Sequence, residues 1–110
     1  MPKKSASVDS LTYENFAELL YSTFRVELES GPIELELVEA KAHRPRAVET
    51  QAPVANFSLV FRGPANSFLP QQTYQFEHDK LGTFDLFIVP IGKEESGYRY
   101  QAVFNRDPRT

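Results

Sequence analysis

The chain has 110 residues, of which 41% are hydrophobic and 13% aromatic, so it is long enough for one domain around one core and is not expected to be globally disordered. Cysteine is absent, which excludes disulfide bridges, thiolate zinc sites and thiol nucleophiles. The formal net charge of −3 argues against an overall attraction to nucleic acid or anionic lipid.

The N-terminal residues 1–9 are small, polar or charged and lack periodicity, which predicts a flexible tail. They lack the apolar stretch of a secretory signal, and no later segment approaches the length of a membrane span, so we expect a cytoplasmic protein. Thr12 is placed to act as an N-cap. The apolar spacing after it predicts a short helix from Tyr13 to Leu20.

From residue 23 the apolar period changes to two, which predicts a half-buried strand. A second alternating run begins after the break at Gly31-Pro32, so the two runs predict a hairpin. The simplest register sets Leu28 opposite Ile33 and Glu27 opposite Glu34. All the apolar residues of the hairpin then lie on one face.

Residues 41–56 mix basic residues with proline and alanine without a period, which predicts a mobile loop. Its basic run from Lys41 to Arg46 contains no aromatic residue to stack on bases, so we expect no nucleic-acid partner. Alternation predicts four further strands that begin near residues 57, 74, 83 and 98. A turn over Asp79 to Gly82 would set Phe76 beside Phe84.

Six strands in sequence, one short helix and no helical crossover predict a mainly all-β domain over residues 10–105. We expect a six-stranded antiparallel meander, closed as a small barrel or folded as a sandwich, and a second flexible tail at 106–110. The fifth strand carries Phe87 and Val89 on the face opposite its core residues, so we expect a cover over that face. The N-terminal helix is the favoured cover, and a partner protein is the alternative.

The second half of the chain carries a series of short motifs. They are FSLVFRGP at 57–64, LPQQTY at 69–74, EH at 77–78, LG at 81–82, FIVPIG at 87–92 and YQAVFN at 100–105. This pattern resembles a family of small bacterial domains of unknown function, connected with gene groups that encode phage-tail-like or tail-collar proteins. The resemblance implies a bacterial or phage-derived accessory protein and assigns no catalytic residue.

Two polar positions are candidate sites. Arg62, before a Gly-Pro turn, could present a bidentate donor to a carboxylate or phosphate, although an ion pair with Glu77 or another acid is favoured. His78 lies between Glu77 and Asp79 and could act as a general base or a metal ligand. Neighbouring side chains on a strand point to opposite faces, so a structural role for His78 is favoured.

The acidic face of the first hairpin is a candidate cation site. Glu27, Glu29 and Glu34 converge there and could bind Ca²⁺ or Mg²⁺ through their carboxylate oxygens. The ordered ligand loop of a dedicated calcium site is missing, so a solvated face is favoured. We predict no metal and no cofactor.

These observations predict a non-enzymatic structural or assembly module that binds another protein or itself, without a nucleic-acid or membrane partner. The resemblance implies that it is an accessory protein of a phage-tail-like particle. An alternative is a barrel that binds a small molecule, and a remote one is a hydrolase-like enzyme around His78. The candidate binding residues are Arg62, Glu77, His78 and Phe87. The residues that would line a small-molecule cavity are Tyr74, Phe76, Tyr98 and Tyr100.

Overall fold

The computed structural model describes residue 8, residues 11–43 and residues 56–105. Most of the tails predicted at 1–9 and 106–110, and most of the predicted loop at 41–56, lie outside the described residues. The described chain forms one helix and six strands. They are α1 (Tyr13–Ala17), β1 (Thr23–Glu27), β2 (Ile33–Ala42), β3 (Asn56–Gly63), β4 (Gln72–His78), β5 (Gly82–Glu94) and β6 (Gly97–Asn105).

The six strands close into an antiparallel barrel with the order β1-β2-β3-β6-β5-β4, which confirms the predicted all-β fold and decides between barrel and sandwich. The order is that of two three-stranded meanders, β1-β2-β3 and β4-β5-β6, and not of one continuous meander. β6 pairs with β3, and β4 pairs with β1, so each meander closes the open edges of the other. β3 and β4 therefore lie on opposite sides of the barrel.

The register of the first hairpin differs from the simplest one by two residues. Val26 lies opposite Ile33 and Arg25 opposite Glu34, so the predicted pairs Leu28–Ile33 and Glu27–Glu34 are wrong. β1 ends at Glu27 because Leu28 belongs to the turn, where its carbonyl accepts the Gly31 N–H at 3.0 Å. A shift of two residues keeps every side chain on its predicted face.

The helix begins as predicted and ends three residues early. The Thr12 side chain accepts the Asn15 N–H at 3.1 Å, and the Asn15 side chain accepts the Thr12 N–H at 2.9 Å, which forms a capping box. After Ala17 the chain tightens, since the Leu19 N–H bonds to the Phe16 carbonyl. Tyr21 then adopts a φ of 69°, and a left-handed residue cannot continue a right-handed helix.

The helix covers one end of the barrel interior. Phe16 is fully buried, and its ring lies 6.0 Å from Phe84 and 5.7 Å from Phe104, which are both inward-facing core residues. The expectation that the helix covers the outer face of β5 is therefore wrong, and Phe87 on that face is 47% exposed. An aromatic side chain in the open barrel end buries more surface than one laid on a flat sheet.

The strands reach further than the sequence pattern indicates. β2 includes Lys41 and Ala42 of the predicted loop, which pair with Ser58 and Phe57 of β3. β5 continues past residue 89 to Glu94, through a bulge between Pro90 and Gly92. The predicted neighbours Phe76 and Phe84 are confirmed.

Candidate functional site

His78 is buried at the end of β4 and bonds to the turn between α1 and β1. Its Nε2 lies 3.0 Å from the Ser22 hydroxyl oxygen, and Ser22 Oγ lies 2.6 Å from the Leu19 carbonyl oxygen. The Lys80 backbone N–H donates to His78 Nδ1 at 3.0 Å. The imidazole also packs on Phe24, with 4.5 Å between ring centroids. The ring therefore connects the helical turn, β1 and the β4–β5 turn.

The direction of these hydrogen bonds defines what the Ser22–His78 pair can do. Because Nδ1 accepts a backbone N–H, it carries no proton, and the neutral ring holds its proton on Nε2. Nε2–H then donates to Ser22, whose hydroxyl donates to the Leu19 carbonyl. A general base would accept the serine proton at Nε2 instead. This geometry fits a structural role for His78.

The electrostatic surroundings keep the imidazole neutral. Burial lowers the pKa of His78 below its usual value, and this effect exceeds the opposing attraction of Asp79. The positive charges of Arg25 and Lys80 lower the pKa further. A neutral ring is the form that the two hydrogen bonds require.

Arg62 and Glu77 lie on opposite sides of the barrel and bond to different partners. The Arg62 guanidinium pairs with the Glu36 carboxylate across the β2–β3 ladder. Glu77 accepts a 3.0 Å hydrogen bond from Arg25 Nε, and Arg25 also reaches Asp79 at 2.9 Å. Arg62 thus pairs with an acid other than Glu77. The Arg25 bridge follows from the β1–β4 pairing, which alternation within a strand does not reveal.

His43 forms a second histidine–serine pair, which the sequence reading missed. Its Nε2 lies 3.0 Å from Ser58 Oγ, and its backbone N–H donates to the Asn56 carbonyl at 2.8 Å. His43 continues the β2–β3 ladder by one more bond beyond Ala42. The pair thus joins the ends of two neighbouring strands.

The tyrosines predicted to line a cavity are occupied by packing and by backbone groups. The Tyr74 hydroxyl donates to the Pro70 carbonyl at 2.6 Å, and the Tyr100 hydroxyl accepts the Leu69 N–H at 3.0 Å. Burial raises the pKa of both tyrosines, which keeps their hydroxyls protonated. These bonds hold the β3–β4 connection against the barrel. They also occupy the two hydroxyls, which argues against a role for them in binding a ligand.

The acidic residues of the first hairpin do not converge. Glu34 faces Arg25, while Glu27 pairs across the β1–β4 ladder with Gln75. Within residues 11–43 and 56–105, no group of three or more histidine or carboxylate side chains is placed to hold a metal ion. The same described part of the chain contains no helix long and apolar enough to cross a membrane.

Phe87 lies on an apolar part of the outer surface, together with a residue that the sequence reading missed. Val103 of β6 is 67% exposed, and it lines a groove of about 250 Å³ with Phe87. Thr73 of β4 lies directly beside Phe87 on the other side. The sequence carried a signal for this residue, because Val103 is an apolar side chain on the same face of β6 as the polar Arg99 and Gln101. We call Thr73, Phe87 and Val103 the Phe87 surface.

Comparison with protein families gave a match over most of the chain. The model of a domain of unknown function, DUF6916, matches residues 11–104, which include the helix and nearly all of the six strands. No curated protein and no solved structure matches the chain.

Proposed function

The chain belongs to the DUF6916 family of domains of unknown function, and we propose that it is a non-enzymatic module that binds another protein through the Phe87 surface. The observation that carries the proposal is the exposure of Phe87 and Val103, at 47% and 67%, on neighbouring strands of a barrel whose other large apolar residues mostly point inward. Adjacent exposed aromatic and aliphatic side chains are typical of protein contact surfaces.

The polar candidate residues support this proposal, because their hydrogen-bonding and charged groups are already bonded within the barrel. His78 has both ring nitrogens bonded, and its Ser22 neighbour donates to a backbone carbonyl. Arg62 and Glu77 are each held in an ion pair. These side chains stabilise the barrel. Phe87 and Val103 contribute little to its stability, because they stay exposed to water.

The interior also favours a protein contact over a small-molecule site. Phe76 packs on Phe61 with 5.2 Å between ring centroids, and on Phe84 with 5.8 Å. Phe76 and Tyr100 are fully buried, so two of the side chains expected to line a cavity fill the core themselves. A small barrel whose interior is filled by its own side chains leaves no room there for a ligand.

The test uses a photo-crosslinking amino acid at position 87 of the full chain, expressed in its source cells. The matched control carries it at position 34, because Glu34 is exposed on β2, on the opposite side of the barrel from β5. We expect position 87 to give a crosslinked protein that position 34 does not give. That protein is then purified and its binding to the wild type and to Phe87→Ser is measured.

Phe87→Ser is expected to weaken binding by about tenfold or more, since exposed aromatic anchors carry much of the energy of an interface. Glu34→Ser serves as a second control, because Glu34 is exposed on β2, on the opposite side of the barrel from β5, and it should keep wild-type affinity. Equal affinity of wild type and Phe87→Ser would contradict the proposal.

A finer form of the proposal concerns the particle to which the module belongs. The resemblance of the motifs at 57–64 and 87–92 to a bacterial family connected with phage-tail-like gene groups supports an accessory role in such a particle. Purified tail-like particles from the source organism should contain the chain in a fixed ratio to the tail proteins, as measured by quantitative mass spectrometry. Particles that lack the chain would contradict this role.

A further inference from the structure

An acidic row of side chains lies next to Phe87 on the outside of the barrel. The register sets Glu27 of β1 beside Gln75 of β4, and Gln75 beside Asp85 of β5. All three side chains are exposed, and we call them the acidic row. Thr73 and Phe87 form the next row of the same face, because they lie two residues from Gln75 and Asp85. Rows of one face are about 7 Å apart, so the acidic row borders the Phe87 surface.

The negative charge of the acidic row is not balanced by a neighbouring base. On the side away from the Phe87 surface, the next row contains one base, Arg25. Its guanidinium already bonds to Glu77 at 3.0 Å and to Asp79 at 2.9 Å. Neither Glu27 nor Asp85 forms an ion pair within the described part of the chain. A positive charge is therefore the complement of this row.

A depression beside the acidic row has room for a side chain. It measures about 350 Å³ and is lined by Glu27, Gln75, Glu77 and Thr83. These side chains offer carboxylate, amide and hydroxyl oxygens, all of which accept hydrogen bonds. A guanidinium presents several N–H donors from one planar group and keeps its charge at physiological pH. The chemistry of the lining therefore matches an arginine side chain.

The acidic row is not arranged to hold a metal ion. Gln75 separates Glu27 from Asp85 by two strand spacings, which is about 10 Å between their backbones. A calcium ion draws its oxygen ligands to about 2.3–2.6 Å, so two carboxylates at this separation do not surround one ion. A guanidinium over Gln75 is larger and carries donors on both sides, so it can approach both carboxylates.

We propose that the protein partner of the Phe87 surface presents an arginine to the acidic row, with an apolar residue beside it that contacts Phe87. The guanidinium would lie over Gln75, between the Glu27 and Asp85 carboxylates. The apolar residue would lie about 7 Å away, at the spacing of the two rows. Opposite charges at the rim of an apolar contact orient the partner and exclude acidic competitors. This inference rests on the proposed function and specifies the charge of the partner.

A small peptide tests the arginine. The probe is the blocked tripeptide acetyl-Leu-Gly-Arg-amide, in which the leucine and the arginine are about 7 Å apart when the chain is extended. It is titrated into ¹⁵N-labelled full-length protein, and the NMR chemical shifts measure binding. We expect a dissociation constant of about 1–10 mM and shifted amides at Gln75, Asp85 and Phe87. The same peptide with citrulline, which has the shape of arginine without its charge, should bind about two- to fivefold more weakly.

Neutral variants of the acidic row locate the effect. Glu27→Gln combined with Asp85→Asn should remove the preference for arginine over citrulline, because it removes both charges and keeps the shape of both side chains. The matched control is Glu39→Gln combined with Glu95→Gln, because these are exposed acids on β2 and in the β5–β6 turn, away from the acidic row. It should keep the wild-type preference. A preference that survives in the first variant, or disappears in the control, would overturn the acidic row as the site.

The protein without peptide tests whether a base of the chain itself lies on the acidic row. The basic residues outside the described part of the chain are Lys3, Lys4, Arg44, Arg46, Arg106 and Arg109. In the spectrum of the neutral variant, only amides near its two substitutions should shift. A shift at one of these basic residues would show that the chain occupies its own acidic row, and would overturn the partner arginine.

The outcomes separate this inference from the proposed function. Equal affinity of the wild type for the two peptides, with loss of binding in Phe87→Ser, would overturn the arginine and leave the Phe87 surface as a contact site. A preference for arginine at an affinity that Phe87→Ser leaves unchanged would overturn the Phe87 surface instead. Failure of the arginine peptide to bind would overturn this inference, and the crosslinking at position 87 would still decide the proposed function.

Discussion

β3 and the first half of β5 differ in the way they are covered, although both supply inward-facing phenylalanines to one core. β3 pairs along its length with β2 on one edge and β6 on the other, and its outward-facing Ser58 and Val60 are each only 4% exposed. Among the described strands, residues 82–88 pair with β4 alone, and the outward-facing Phe87 is 47% exposed.

The difference shows that hydrophobicity does not decide which outer face of a strand is buried. Phe87 is the larger apolar side chain, yet it is Ser58 and Val60 on the outer face of β3 that are buried. A face is buried only if another part of the protein lies over it. An apolar outer face that stays exposed is therefore a candidate for contact with something outside the chain.

The largest difference in stability should come from removing one phenylalanine ring from each strand, the inward-facing Phe61 of β3 or the outward-facing Phe87 of β5. Phe61→Ala should lower the free energy of unfolding by about 3–5 kcal/mol, because Phe61 is fully buried and its loss leaves a cavity. Phe87→Ala should cost less than about 1 kcal/mol. Urea denaturation followed by circular dichroism measures both. Equal losses would show that the outer face of β5 is part of the core.

Two glycines near these strands should differ in how much stability the protein loses when a methyl group is added. Gly97 has a φ of +139°, and a Cβ there would lie 1.8 Å from the Gly63 carbonyl oxygen at the end of β3. Gly97→Ala should therefore cost about 3 kcal/mol or more. Gly92 of β5 has open space at that position, so Gly92→Ala should stay within about 0.5 kcal/mol. Thermal unfolding compares them, and a stable Gly97→Ala variant would contradict the close approach.

Two outward-facing valines provide a finer comparison of covered and exposed positions. Val60→Ala should cost about 1–2 kcal/mol, because Val60 on β3 is 4% exposed. Val103→Ala should change the free energy of unfolding by less than about 0.5 kcal/mol, because Val103 is 67% exposed. The urea midpoints of the two variants give the answer. A larger cost for Val103 would mean that the groove beside β5 is closed in solution.

A pH titration should give the smallest effect and concerns His78 at the end of β4, the strand that pairs with residues 82–88. The pKa of His78 is lower in the folded state than its ordinary 6.5, so below about pH 6.5 the unfolded chain binds the proton more readily. Stability should be full at neutral pH and fall on acidification from pH 7 to pH 5. The contribution of this residue is expected to be on the order of 1 kcal/mol or less.

His78→Gln should reduce this acid-dependent loss, because glutamine keeps a donor and an acceptor and does not titrate. The matched control is Gly92→Ala, which changes no titratable group and should keep the wild-type dependence. Urea unfolding at several pH values measures the slopes. An unchanged slope in His78→Gln would contradict the assigned neutral state.

For the candidate site, the sequence identified individual outward-facing residues but did not show which side chains bond to each other. Phe87 was identifiable as an apolar residue on the outer face of its strand, and Val103 carried the same signal on β6. The bonds of His78 to Ser22 and of Arg25 to Glu77 join residues more than fifty positions apart. They depend on which strands become neighbours, and the alternation within one strand carries no information about its neighbours.

The sequence by itself determined the strands, the capped helix start and the inward face of each strand, because all three depend on local period and on side chains a few residues apart. Only the tertiary structure decided that the helix fills the barrel end, that two meanders close one barrel, and that Phe87 stays exposed on the outer face of β5. These features depend on contacts between segments distant in the chain. Such contacts form where they bury the most apolar surface and satisfy the most backbone groups in the whole molecule.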